Sequence, residues 1–352
     1  MERKLASIQK VISVEPIENA DKIEKVKILG WQCVAKKDEF KQGQLCIYCE
    51  IDSLFPEKPE FEFLRSKKFR IKTMKLRGVI SQGIVFPLEI LPEHDRLVIT
   101  EEYHINGNEH IVGQDVTEKL GITKYEPPIL PQLIGQAKGN FPTHIVPKTD
   151  EIRLQSAISV LEEIIGKEVY ITEKEDGTSF TAYYKDGMFG FCSRNLEQKN
   201  ESTNQSIYYK IVNQYELENK LKFYSNNYNK NIAIQGEITG DGINKNPLNL
   251  PRNTYQLHIF NVWDIDNQKY FDIFDAKDIV DILKLNLVKL LEFGKFNYTI
   301  EELIEKAKGK YKGTNNNIEG IVIRPINECY SETLQGRMTF KVINNDYLLK
   351  EE

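Results

Sequence analysis

The sequence predicts an α+β chain, with a small N-terminal β-barrel ahead of a larger domain of strands and helices. Three observations carry this. The length, 352 residues, exceeds what a single core usually holds, so two domains are expected. Up to about Leu91 the chain breaks into short apolar runs, Leu5–Val14, Ile23–Ile28, Gln32–Ala35, Leu45–Cys49 and Ile84–Pro87, punctuated by Gly30, Gly43, Gly78 and Gly83. From Pro147 onward, strand-like alternation is mixed with apolar residues at helical spacing. The expected boundaries are a barrel over 1–125, a linker over 126–146 and a second domain over 147–352.

Five short strands fit a small OB-like barrel, whose usual role is to grip oligonucleotides. A formal net charge of −5 gives no global basic signature, so any nucleic-acid surface must be local. The most basic stretch is Arg65 to Arg77, with seven cations and no acid. Within it Lys67, Lys68, Arg70, Lys72 and Arg77 are the candidate phosphate contacts, and Phe69 is interleaved among them. An acidic run, Glu57 to Glu62, precedes it and could balance the charge instead.

Five cysteines (Cys33, Cys46, Cys49, Cys192, Cys329) are an odd number with no secretion signal, so reduced thiols in an intracellular compartment, cytoplasm or nucleus, are expected. Cys46 and Cys49 have CxxC spacing but lie in an apolar strand with no second pair, which reads as packing rather than a zinc site. No membrane association is expected, because no run of about eighteen apolar residues exists and the N-terminus lacks a signal-type apolar region.

The linker is polar and ends in Pro127-Pro128, Pro131, Pro142 and Pro147. The second domain then opens with a helix carrying Ile152, Ala157, Val160, Leu161, Ile164 and Ile165, closed by Gly166. Val169 and Ile171 alternate toward Lys174, Phe180, Ala182 and Tyr184 alternate after it, and Lys185-Asp186-Gly187 turns the chain into a second strand through Phe189 and Phe191. A helical stretch follows at about 207–224, then apolar strands at 232–238 and 257–265. A helical pair is expected over about 275–308, ahead of Ile318-Glu-Gly-Ile-Val-Ile-Arg324 and Met338-Thr-Phe-Lys-Val-Ile-Asn344.

Lys174-Glu175-Asp176-Gly177 suits covalent nucleotidyl transfer. An amine is a nucleophile only when neutral, and burial or a nearby metal cation would favour that form. On an extended strand Asp176 would share the face of Lys174 and could hold a ribose hydroxyl or a metal-bound water, while Gly177 lets backbone approach a ligand. Taken alone, K-x-D-G also fits a solvated turn ending a strand.

The order K-x-D-G, S-R-N, G-E-I, an aromatic-rich strand, E-G-I-V-I-R and F-K-V-I extends over about 147–344. In spacing and order it resembles the nucleotidyltransferase motifs of ATP-dependent ligases and mRNA capping enzymes, an ATP-grasp-like arrangement of antiparallel sheets with helices. The barrel in front, and only eleven residues after Lys341, resemble most RNA ligase family five, the group known from Naegleria.

That resemblance implies an ATP-dependent RNA ligase sealing 3′-hydroxyl and 5′-phosphate ends, working as a monomer on nicked duplex, with ATP and Mg²⁺ or Mn²⁺ as cofactors. It implies Lys174 as the adenylated nucleophile and Asp176, Glu237 and Glu319 as acids on the ribose or the metal. Lys341 would sit on the α-phosphate, and Arg194 and Arg153 would bind phosphate or nucleotide. Adenine would meet the backbone at Glu173, stack on Phe260 and be closed by Val322, with Tyr255 and Trp263 as rival rings. The family often has a second lysine two residues after Lys341; Ile343 stands there, with Lys350 and Arg337 as weak substitutes. The alternatives are a capping-type guanylyltransferase, a DNA ligase, or an inactive RNA-binding protein carrying both folds.

Overall fold

A computed structural model describes residues 4–106, 111–125 and 135–349, with the backbone alone for 100–106. The chain divides into two compact units. The first takes in the described part of Met1–Pro127 with Leu154–Ile158 and Leu349, and the second the described part of Pro128–Arg153 with Ser159–Leu348.

In the first unit Leu45–Cys49 lies antiparallel between Ala6–Lys10 and Ile84–Phe86, and Ser13–Pro16, Ile23–Ile28 and Trp31–Lys36 form a second sheet. The run expected at Leu5–Val14 is two strands. Between them Val11 N–H binds Gln44 O and Ile12 N–H binds Lys27 O, so the chain turns from one sheet to the other at that corner. Val26, Ile28, Trp31, Cys33, Ala35, Cys46, Tyr48 and Val85 fill the space between the sheets. Cys46 and Cys49 are buried free thiols, and burial pushes the Cys46 thiol up to about 12.

Among its described residues the second unit holds two main sheets and a two-stranded ribbon, Tyr330–Ser331 with Gly336–Arg337. In the larger, antiparallel strands run in the order Ala137–Asn140, Leu196–Gln198, Met188–Cys192, Thr178–Lys185, Ile232–Gly240, Tyr255–Asp264 and Lys269–Tyr270. Phe180, Ala182, Ile234, Ile238, Leu257, Ile259 and Val262 line one face and pack on the helices Ile207–Gln214, Leu217–Tyr228 and Ile273–Ile282. In the smaller, the order is Ile152–Arg153, Phe340–Ile343, Gly320–Pro325, Glu168–Lys174 and Leu290–Lys295.

Three segments differ from the sequence expectation. Residues 126–134 of the linker lie outside the described residues, but Ala137–Asn140 pairs with Leu196–Gln198, and Phe141, Ile145 and Val146 pack with Tyr183, Ala233 and Trp263. Alternation is absent there, which hid the strand. The helix expected over 152–165 is split. Ile152–Arg153 pairs parallel with Phe340–Ile343, Gln155 O and Ser156 Oγ accept from Gly30 N–H and Trp31 Nε1–H, and only Val160–Ile164 is α-helical. Between the helices Ile273–Ile282 and Ile300–Lys306 lies an edge strand, Leu290–Lys295.

Candidate active site

The Lys174 motif is a crossover rather than one long strand. Glu168–Lys174 ends in the smaller sheet and Thr178–Lys185 begins in the larger, with Glu175, Asp176 and Gly177 bridging them. The expected strand geometry at Asp176 is therefore replaced by a fixed corner. Asp176 N–H donates to Tyr311 Oη at 2.8 Å, and Asn244 Nδ2 donates to Asp176 Oδ1 at 2.6 Å and to Gly177 O at 2.7 Å. A Cβ on Gly177 would stand 2.3 Å from Ile238 O, so only glycine lets the corner pass the neighbouring strand.

Strand registers, parallel at Ile152–Arg153 and antiparallel elsewhere, place the smaller sheet's residues in rows. Thr172 is opposite Val322, Val322 opposite Lys341, and Lys341 opposite Arg153. Lys174 pairs with Gly320, where φ is +156° and a Cβ would stand 2.2 Å from Val342 O, so a side chain is excluded. Strand alternation thus gives one face to Thr172, Lys174, Val322, Lys341 and Arg153, and the other to Ile171, Ile321, Ile323, Phe340 and Val342. Glu173 falls on the second face, where its carboxylate accepts from Lys289 Nζ at 2.8 Å. Its N–H is taken by Lys289 O, so a backbone contact to a base at this position has to use the carbonyl.

Lys174 Nζ donates to Glu319 Oε2 at 2.6 Å. Burial alone would lower its proton affinity, but the charges of Glu319 and Glu237 outweigh burial and the net shift is upward. The acids are crowded in turn. Burial, then repulsion by Glu319, Glu175 and Asp176 against the pull of Lys174, pushes Glu237 up to about 8. Burial and Glu319 push Asp176 up to about 6, against hydrogen bonds from Asn244 and Tyr347. Lys341 is brought down to about 8 by burial and by Lys174 and Arg153. Acids and cations gathered within electrostatic reach of Lys174 suit a ligand with phosphate groups.

On the larger sheet Glu237 is opposite His258, whose Nδ1 lies 2.7 Å from Glu175 Oε2. Sequence reading missed this pair, since nothing in the spacing of residues 175 and 258 joins them. Phe260 is half-buried at a β-bulge: Gly236 pairs with Ile259 and Gln235 with Asn261, leaving Phe260 unpaired and outside the helix-facing core. Of its rivals, Tyr255 packs on that core and Trp263 is buried with Ile145 and Tyr270.

Other candidates are placed differently. Arg194 is exposed and ion-paired to Asp150 at 2.8 Å. Arg337 binds Glu328 and Asn261, and Lys350 lies outside the described residues. In the first unit Lys67, Lys68, Lys72 and Arg77 are exposed. Arg70 is not part of that strip, because its guanidinium binds Asp52 at 2.7 Å and lies 3.8 Å from the Tyr125 ring centroid. Phe69 is buried rather than available for stacking.

A barrel followed by a two-sheet unit with a lysine set among acids and cations defines a covalent nucleotidyltransferase. A family profile described as an OB-fold domain matches residues 5–88, and one described as RNA ligase matches residues 167–343. Among curated proteins no sequence matches. Among solved structures, a mutant of Naegleria gruberi RNA ligase with AMP and Mn is 35% identical, with 98% of each chain covered and a TM-score of 0.82. Another mutant, with ATP and Mn, is 34% identical over 98% of each chain at a TM-score of 0.82. The same enzyme with PPi is 35% identical over 98% of each chain, TM-score 0.81. The chain belongs to the RNA ligase family.

Proposed function

We propose that this RNA ligase is ATP-dependent and joins RNA ends carrying a 3′-hydroxyl and a 5′-phosphate, acting as a monomer at nicks in duplex. The observation that carries the reading is Lys174 Nζ at 2.6 Å from Glu319, with Lys341 and Arg153 on the same sheet face. The Lys174 amine attacks the α-phosphorus of ATP, the N–P bond forms, and the bond to pyrophosphate breaks. AMP then passes to the RNA 5′-phosphate, and the 3′-hydroxyl displaces it to form the phosphodiester. Lys341 and Arg153 neutralise the phosphoryl oxygens as charge shifts onto the leaving pyrophosphate. Val322 and Phe260 bracket the base, which leaves the α-phosphate between Lys174 and Lys341.

Mg²⁺ or Mn²⁺ fits the donor set. Among the described residues no three acidic, histidine or cysteine side chains form a ready-made cage. Burial first, and neighbouring carboxylates after it, raise the proton affinities of Glu237 and Asp176, and such buried, grouped acids suit a cation that takes one or two carboxylates and completes its shell with phosphate and water oxygens. Asp176, Glu237 and Glu319 would hold it, and when bound it supplies positive charge that favours the neutral amine and steadies the phosphoryl oxygens. The Mn complexes of the Naegleria enzyme with ATP and with AMP support this assignment.

The exposed cations Lys67, Lys68, Lys72 and Arg77 are the RNA contacts of the barrel. Arg194, exposed beside Asp150, meets the 5′-phosphate of the acceptor strand. Among the described residues no helix is long and apolar enough to cross a membrane, and five free cysteines support work in a reducing compartment. Incubation with α-labelled ATP or GTP and a singly nicked RNA duplex tests the reading. Label entering the protein from ATP, followed by a sealed strand, is expected. Label from GTP alone would indicate capping chemistry, and sealing of DNA in preference to RNA a different ligase.

A further inference from the structure

Beneath the β-bulge at Phe260 runs a chain of polar side chains that the reaction does not use. Gln235 and Asn261 are 1% and 3% exposed, so their polar atoms call for hydrogen-bond partners. Gln235 Nε2 donates to Pro147 O at 2.7 Å, Asn261 Nδ2 donates to Gln235 Oε1 at 3.3 Å, and Arg337 Nη1 donates to Asn261 Oδ1 at 2.8 Å. Arg337 is held in turn. Its Nε donates to Glu328 Oε2 at 2.6 Å, its Nη2 binds the other carboxylate oxygen, and its guanidinium lies 4.0 Å from the Tyr270 ring centroid. Glu328 is itself fixed, since its N–H donates to Asp272 Oδ1 at 2.7 Å.

The two ends of the Arg337–Asn261 bond lie beside different halves of the site. Asn261 directly follows the ring at the bulge on the larger sheet, and Arg337 ends the ribbon strand Gly336–Arg337, four residues before Lys341, which is on the smaller sheet. A bulge lacks a ladder partner at its extra residue, so the orientation of Phe260 depends on what anchors its neighbours. We propose that the Arg337–Asn261 bond is a strap that sets the separation between the base-stacking ring and the phosphate-binding lysine, making Arg337 and Asn261 positioning residues for the adenosine half of the nucleotide. It rests on the reading that Phe260 stacks on adenine and Lys341 meets the α-phosphate. The same bond explains why Arg337 cannot stand in for a second phosphate-binding lysine: both edges of its guanidinium are already committed.

The strap is tested with Asn261→Ala, which leaves Arg337 paired to Glu328, and with Asn261→Asp, which keeps an acceptor for Arg337. Self-adenylylation rate is measured against ATP concentration, and AMP and pyrophosphate binding are measured by calorimetry with Mn²⁺ present. Loss of one hydrogen bond to a charged donor predicts about a tenfold rise in the ATP KM and a matching loss of AMP affinity. The saturated rate and pyrophosphate binding should move by less than about threefold, and Asn261→Asp should recover most of the loss. A fall in saturated rate with KM unchanged, or equal loss of AMP and pyrophosphate binding, would mean the bond only supports the fold and overturns the proposal. Wild-type protein that takes no label from ATP would instead remove the reading on which the strap rests.

Discussion

Lys174 is nucleophilic only without its proton, yet the acids around it favour the ammonium form. Burial, reinforced by the same crowding, makes Glu237 the residue whose ionisation couples most plainly to stability. Its folded-state value, about 8, lies above its ordinary 4.5, so between those limits the folded state holds a proton that the unfolded chain has released. Stability of the metal-free protein therefore falls as pH rises through that window, by up to about 1.4 kcal/mol per pH unit for one such group. Thermal unfolding in chelator from pH 5 to 8 should show the slope in wild type and a flatter one in Glu237→Gln; parallel curves would refute the assignment. At this scale an ordered motif let the sequence single out Lys174, Asp176, Glu237, Glu319 and Lys341, and the fold brings their charges to bear on one another. The Glu175–His258 pair is joined only by the fold, across 83 positions, and no local pattern announces it.

Among the elements, the crossover at Glu175–Gly177 makes the sharpest demand on sequence. With Ile238 O only 2.3 Å from where a Cβ would stand, Gly177→Ala must displace either the corner or the Ile232–Gly240 strand. A cost of about 1–3 kcal/mol and loss of most lysine adenylylation are expected, while RNA binding by the barrel persists. Full labelling in a stably folded Gly177→Ala protein would show that the corner tolerates displacement. The hairpin turn at Asp186-Gly187 was legible because its residues take the positive φ values, 49° and 82°, that such a turn requires. The strands Ile152–Arg153 and Leu290–Lys295 were not. The first is only two residues long, and the second has exposed leucines at a bulge where alternation fails.

In the whole molecule the proposed division of work puts chemistry in the second unit and RNA grip in the first. Replacing Lys67, Lys68 and Lys72 together by alanine should weaken RNA binding and make its salt dependence shallower, by roughly 0.7–0.9 in slope for each phosphate no longer neutralised. Self-adenylylation should be unchanged. Arg70→Ala should behave otherwise: it breaks the Asp52 pair and the Tyr125 stack, costing about 1–2 kcal/mol of barrel stability, with little change in salt slope. Unfolding midpoints and binding isotherms at several ionic strengths separate the two outcomes. The sequence could point to the basic run but not sort its members, because which cation is held by Asp52 depends on a pairing 18 positions away. The central claim is that one amine carries AMP between substrates. Incubating the protein with ATP and Mn²⁺, locating the modification by peptide mass spectrometry, and chasing with 5′-phosphorylated nicked RNA tests it most directly. AMP on Lys174 that disappears as RNA adenylate and sealed product form is the predicted result. AMP on another residue, or sealing that continues in Lys174→Ala, would contradict it.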